Sequence, residues 1–294
     1  MGEYRKVCPG SSARVAWRVK IESSILMEDG SMKLQKVLAG VMVAALALTA
    51  APVGNVKAAD GVPIDEAHFP DENFRAYVSE FDYNGNGVLS TDETGDITEF
   101  FCGDKSINDL TGIEHFTALI HMDCSHNNLT TLDVSKNTAL TELYCYNNSL
   151  TALDVSQNTA LIQLECDDNN LVALELSNNM ALEVLSCGSN KLASLDLSRN
   201  SSLKWLLCNN NDLTELDLSR NTSLAYLRCQ NNKLKRLDLG NTKGADFSNY
   251  AFSGNGGKKG KGLTITVGTK ADQKLMKKNL KKAGVPKAKV KVAK

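Results

Sequence analysis

The stretch Leu140-Thr141-Glu142-Leu143-Tyr144-Cys145-Tyr146-Asn147-Asn148-Ser149-Leu150-Thr151-Ala152-Leu153-Asp154-Val155-Ser156-Gln157-Asn158-Thr159-Ala160 decides the fold. Its pattern recurs every 21 residues, so that Cys124, Cys145, Cys166, Cys187, Cys208 and Cys229 stand in one frame. Two residues before each cysteine stands an apolar residue, three after it an asparagine, and five after it a leucine. A period of this length marks a solenoid, in which each repeat forms one coil and stacks on the next.

Each repeat holds two similar halves, L-x-x-L-x-C-x-x-N-x-L and x-x-L-[DE]-[VL]-S-x-N-x-x. Both contain an apolar-x-apolar alternation, the mark of a half-buried strand. The pattern predicts two short strands per coil and therefore two parallel ladders on opposite walls of a β-rich α/β solenoid. Asparagines follow each strand: Asn127, Asn148, Asn169, Asn190, Asn211 and Asn232 in one column, Asn137, Asn158, Asn179, Asn200 and Asn221 in the other. Asparagine can turn the chain and bond backbone groups that a tight bend leaves unpaired. An irregular first coil carries Ile97, Phe100, Cys102, Ile107 and Leu110, with Cys102 22 residues ahead of Cys124.

On these motifs the segment from about Ile97 to Gly240 resembles the bacterial extracellular leucine-rich repeats of the nested 21-residue type, the IRREKO class, with internalins as relatives. It departs from the commonest leucine-rich pattern by placing cysteine where leucine usually stands. The resemblance implies a protein-interaction scaffold on the surface of a bacterium or outside it.

Ahead of the coils, Asp71 to Val78 has helical periodicity, with Phe74, Val78 and Phe81 on one side. The next twelve residues, Asp82 to Glu93, match an EF-hand-like calcium loop. Calcium is a hard cation that takes oxygen ligands. Asp82, Asn84 and Asn86 offer side-chain oxygens, Val88 its carbonyl, Ser90 a hydroxyl or a bridging water, and Glu93 a carboxylate. Ser90 and Glu93 also form a capping box for a following helix. With only two charged ligands the expected Kd is on the order of 10⁻⁴ M or weaker, a structural clip rather than a sensor. Such a loop before the coils also resembles the N-terminal region of secreted bacterial proteins of this kind.

Residues 32–58 read as a secretory signal. Lys33 and Lys36 precede the apolar run Val37 to Ala51, and Val56-Lys57-Ala58 offers a cleavage site. The run is too short for a comfortable membrane span, so no transmembrane segment is expected in the mature chain. Residues 1–31 then read as an extension upstream of the native start at Met32. The remaining organisation is a cap over 59–96, repeats over 97–242, a Gly- and Lys-rich linker over 243–262, and a basic module over 263–294. In that module Leu263 to Val267 and Lys289 to Val292 read as strands, and Ala271 to Ala283 as a helix with Leu275, Met276 and Leu280 on one side. A β-α-β unit there would close the open end of the solenoid.

The chain has 294 residues and a formal charge of -1, which hides an asymmetry. Asp60 to Gly257 carries 29 acidic and 12 basic side chains, whereas Lys258 to Lys294 carries 13 lysines and the single acid Asp272. The basic segment suits an anionic cell-wall polymer or membrane surface. It interleaves no aromatic stacking residues, which points away from nucleic acid.

The cysteine column alternates with inward leucines and is expected to pack as small apolar filling. Parallel side chains in one ladder have poor disulfide geometry, and the spacing lacks the close pairs of a zinc site. His121 and His126 lie near Cys124, but a buried thiol with no orienting framework does not suggest catalysis. No enzymatic activity is expected. The residues flanking each cysteine are expected to face outward, and there the composition varies. Trp205, Leu207, Tyr226 and Arg228 fall on adjacent coils, with Tyr144 and Tyr146 further back. Exposed aromatics and arginine anchor protein interfaces, so these six are the candidate partner-binding residues for a host or bacterial surface protein.

Overall fold

The computed structural model describes residues 61–240, 242 and 251–293. The expected signal segment, the upstream extension and residues 243–250 of the expected linker lie outside the described residues.

The described part begins with strand β1 (Gly61–Pro63), helix α1 (Glu72–Val78), strand β2 (Val88–Ser90) and helix α2 (Thr91–Asp96). Asp71 caps α1, its carboxylate accepting the amide of Phe74 at 2.9 Å. The other carboxylate oxygen accepts the amide of Asn108 at 2.8 Å and so ties the cap to the first coil. Phe74 and Val78 are buried, as their spacing predicts, and Phe81 packs against the same core. The Ser90–Glu93 capping box is present at the start of α2.

Seven strands then form one parallel wall. They are β3 (Glu99–Phe101), β4 (His121–Asp123), β5 (Glu142–Tyr144), β6 (Gln163–Glu165), β7 (Val184–Ser186), β8 (Trp205–Leu207) and β10 (Tyr226–Arg228). Register is kept rung to rung, with Met122 opposite Leu143, Leu143 opposite Leu164, and so on to Leu206 opposite Leu227. Directly after each strand a cysteine enters the core. Cys102 and the six periodic cysteines are free and buried.

The turn that follows is set one residue earlier than the asparagine column suggests. His126, Asn147, Asp168, Ser189, Asn210 and Asn231 all adopt positive φ, between 50° and 56°. This left-handed position reverses the chain and lets the next residue, the column asparagine, point inward. Asn148, for example, donates to the carbonyls of Cys124 and Cys145 at 3.0 and 3.1 Å and accepts the amide of Leu129 at 3.0 Å.

The second wall is less regular than two full ladders would be. Strands form at β9 (Glu215–Asp217), β11 (Arg236–Asp238), β12 (Thr264–Val267) and β13 (Lys289–Val292), and earlier coils contribute one bridge, Asp133 to Asp154. The early coils place small side chains, Thr131, Ala152, Ala173 and Ser194, where a cross-rung partner would stand. From Glu215 onward Arg236 pairs with Glu215 across the rung, and the β-branched Thr264 to Val267 stretch follows.

The expected β-α-β module is helix α3 (Lys270–Asn279) between β12 and β13, and it extends the second wall. Met276 and Leu280 enter the core, but Leu275 is 60% exposed, because neighbouring helix positions point about 100° apart. The described part of the expected linker, from Ala251, differs from a free connection. It adds a rung to the first wall: Cys229 donates its amide to Ala251, Phe252 is fully buried in the cysteine position, and Asn255 donates to the carbonyl of Cys229 at 2.8 Å. The Phe-x-x-Asn spacing is the repeat frame with phenylalanine for cysteine, masked in the sequence by its Gly-rich surroundings.

Candidate binding surface

The outer face of the first wall carries the residues on either side of each cysteine. Backbone alternation forces this: Leu143 and Cys145 point inward, so Glu142, Tyr144 and Tyr146 point outward. Tyr144 and Tyr146 are half-buried, as are Trp205 and Leu207.

Tyr226 and Arg228, expected to be exposed, are not: they are 7% and 6% exposed. The Trp205 ring stacks on Tyr226 with centroids 4.9 Å apart, and the Arg228 guanidinium lies 5.0 Å from the same ring. The rung from Ala251 continues the wall beyond them, so β10 is not the exposed end that the regular repeat suggests. Trp205, Leu207, Tyr226 and Arg228 thus share one place, of which Trp205 and Leu207 are the accessible part. Tyr144 and Tyr146 belong to a separate place three coils earlier.

That earlier place is larger than the sequence indicates. Phe101, His121 and Tyr144 form a row of rings across three rungs, with centroids 5.0 and 5.1 Å apart. Phe101 is 49% exposed. It stands one residue before Cys102 as Tyr144 stands one before Cys145, so the column itself could have found it; the irregular spacing of the first coil hid it. Glu142 is held between His121, at 3.0 Å, and the hydroxyl of Tyr144, which donates to it at 2.9 Å. Burial raises the Glu142 carboxyl, but the bond and charge of His121 outweigh it and hold the group below the usual carboxylate range.

Beyond Tyr144 the wall turns acidic and then small. Burial pushes Glu165 up to about 7 and Asp167 up to about 6, partly opposed in each case by hydrogen bonds, from Gln163 to Glu165 and from the amide of Gly188 to Asp167. Val184, Ser186 and Gly188 then form a low step before Trp205. A β-carbon on Gly188 would meet an Asp167 carboxylate oxygen at 2.9 Å and the Asn209 side chain at 3.0 Å, so a larger residue there would have to push these side-chain ends aside.

The described cysteines offer no reactive thiol. Burial pushes Cys102 up to about 12 and Cys124 well above the ordinary thiol range, so each stays protonated at neutral pH. Cys124 lies in the core, away from His121 and His126 on the outer side.

The calcium-loop residues lie together between α1 and α2, closed on themselves. Asp82 accepts the amides of Gly85, Asn86 and Gly87, while Asn84 and Asn86 accept those of Asn86 and Val88. Glu93 accepts from the amide of Tyr83, the side-chain amide of Asn84, and the amide and hydroxyl of Ser90. Hydrogen bonds to the ionised form hold the Glu93 carboxyl below its usual range, the Ser90 amide contributing most. Among the described residues no group of three His, Cys, Asp or Glu side chains is placed to hold a metal. The donor set is hard oxygen and suits calcium in kind, but a carboxylate has about four lone-pair sites and Glu93 already uses four. Ligation by Glu93 would therefore exchange protein hydrogen bonds for the ion.

No protein-family model matches the chain. Internalin J of Listeria monocytogenes serotype 4b is 41% identical over 71 residues, which is 24% of this chain and 8% of Internalin J. Among solved structures, the functional domain of InlJ from Listeria monocytogenes, which includes a cysteine ladder, is 26% identical with a TM-score of 0.44; the match covers 80% of this chain and 62% of that one. An internalin, InlF, from Listeria monocytogenes 4b is 20% identical with a TM-score of 0.54, covering 71% of this chain and 58% of the other. Among the described residues no helix is long and apolar enough to cross a membrane. The parallel-strand solenoid of about nine turns is a leucine-rich repeat fold of the internalin-like kind.

Proposed function

We propose that the chain is a secreted or cell-surface protein that captures a protein ligand, on a host or bacterial surface, with the outer face of its first wall. The observation that carries this reading is the contrast within each rung. Inward positions repeat leucine and cysteine, whereas outward positions differ from coil to coil and place the Phe101–His121–Tyr144 row and the Trp205–Leu207 patch on the surface. Large half-exposed aromatics on a rigid frame bind at small entropic cost. The similarity to Internalin J supports an adhesive or protein-binding role. Tyr144→Ala and Trp205→Ala should each weaken capture of a surface protein by about 30-fold, the effect of losing an anchor of about 2 kcal/mol. Biolayer interferometry against host and bacterial surface extracts, with circular dichroism as a folding control, reads this out. Undiminished capture by both folded variants rejects the first wall as the site.

The loop from Asp82 to Glu93 is proposed to bind calcium weakly, through Asp82, Asn84, Asn86, Val88, Ser90 and Glu93. The oxygen-only donor set supports this, and the four hydrogen bonds that Glu93 would give up keep the affinity low. Calorimetry on the chain from residue 59 should show binding heat near millimolar calcium, and none after Asp82→Ala; a flat trace at about 10 mM calcium removes the site.

A second reading makes the chain a structural wall component held through 258–294. The favouring observation is that every lysine from Lys258 to Lys291 is exposed. Salt-sensitive retention on bacterial cell walls that is lost when 258–294 are deleted distinguishes it.

A further inference from the structure

Two opposite stores of like charge stand on this molecule. The first is on the second wall, where Asp133, Asp154, Glu175, Asp196 and Asp217 are exposed and in register, one per coil. Each turns one carboxylate oxygen onto the amide of the serine two residues on, at 2.8 to 2.9 Å. That bond holds Asp133, Asp154 and Asp196 below the usual carboxylate range, so these three are ionised at neutral pH. Successive rungs of a ladder stand about 4.8 Å apart, a distance at which stacked like charges repel. Lys136 and Arg199 lie near the column, yet none of these five carboxylates forms an ion pair with a described residue: the Lys and Arg pairs are Lys204–Glu183, Lys233–Asp212 and Arg236–Glu215.

The second store is the C-terminal module. Twelve lysines stand from Lys258 to Lys291, against the one acid Asp272. All twelve are exposed, and none pairs with a described carboxylate. Lys270, Lys274 and Lys278 recur every four residues along α3 and so line one side of it. They span about 12 Å at about 1.5 Å per residue. Asp154, Glu175 and Asp196 span about 10 Å on their rungs. The lengths match, the signs are opposite, and neither group forms an ion pair with a described residue.

We propose that the chain associates with a second copy of itself, the lysine side of α3 docking along the carboxylate column of the other copy's second wall. The two surfaces differ, so the contact is heterologous and each docked copy leaves one surface free; the assembly grows head to tail. The first wall takes no part and stays open for ligand. This inference is independent of the calcium and ligand-capture readings.

Sedimentation velocity on the purified chain provides the test. At about 0.02 M salt the average mass should exceed that of the monomer and rise with concentration, and at about 0.5 M salt it should return to the monomer. Asp154→Asn/Glu175→Gln/Asp196→Asn removes the three central charges of the column while keeping an acceptor for each serine amide. Lys270→Gln/Lys274→Gln/Lys278→Gln removes the lysine row while keeping helix formers. Each triple variant alone should weaken association by about tenfold or more, the effect of about 1.4 kcal/mol. Mixed in equal amounts they should form pairs and nothing larger, because one supplies only the helix and the other only the column. Recovery in the mixture also shows that both variants are folded. A monomer at low salt, association indifferent to both variants, or a mixture that stays monomeric overturns the proposal. So does a lysine variant whose sole defect is lost binding to a bacterial wall polyanion, which would assign the lysines to that polymer.

Discussion

Asn169→Ala is expected to destabilise the protein by about 3–5 kcal/mol, and Asn179→Ala by about half as much. Both asparagines are buried, both belong to columns that repeat every coil, and the sequence alone ranks them equal. Their hydrogen bonds separate them. Asn169 donates to the carbonyls of Cys145, Cys166 and Asp167 at 3.0, 3.2 and 3.1 Å, and its oxygen accepts the amide of Leu150 at 2.9 Å. Alanine orphans one buried amide and up to three carbonyls, each costing about 1–3 kcal/mol where water cannot replace the partner. Asn179 donates to Val155 and Asn158 at 3.0 and 2.9 Å, but its own oxygen accepts no hydrogen bond from a described residue. Removing that oxygen relieves an existing desolvation cost and offsets part of the loss. Urea unfolding of the two variants side by side measures the difference. Equal destabilisation would show that the amide acceptance by Asn169 contributes nothing.

Phe100→Ala is expected to cost about 3–5 kcal/mol, the range for deleting a buried aromatic, with loss of the N-terminal cap at lower denaturant than the coils. Phe100 is fully buried. Its ring lies 4.8 Å from Phe116, 5.0 Å from Tyr77, 5.3 Å from Phe81 and 6.0 Å from Phe74 by centroids. These residues come from α1, the turn after it, the first strand of the wall and the coil beyond, so one ring joins the cap to the solenoid. The edge of that strand is closed by the same group: the amide of Phe101 donates to the Tyr77 hydroxyl at 2.9 Å. Losing the ring should therefore loosen the cap and expose an edge, which in a solenoid is an invitation to pair. Near-UV circular dichroism during urea unfolding, with hydrogen exchange at Phe101, reads both effects. A variant that unfolds in one transition with the cap still protected would mean that the cap is held by the Asp71–Asn108 contact instead.

Much of this was legible in the chain because a repeat gives the same evidence six times over. The inward leucines and cysteines, the asparagine columns and the β-α-β end follow from period and alternation, which depend only on backbone geometry. The sequence was less informative where neighbours decide. Tyr226 and Arg228 sit at outward positions, yet Trp205 and the rung from Ala251 cover them, and that rung is disguised as a Gly-rich linker. Phe101 belongs to the exposed row only because β3 pairs in register with β4 despite the longer first repeat. The second ladder forms only where an ion pair or β-branched residues tie one rung to the next.

By itself, then, the order of residues determined a stacked coil with cysteine and leucine inside and a changing surface outside, since a 21-residue period with two-residue alternation admits no other burial of its apolar side chains. Only the tertiary structure decided which outward residues reach solvent, which asparagine oxygens find a donor, and how the two ends are closed. Those outcomes depend on contacts between coils, and no periodicity within a coil can specify what its neighbour places against it.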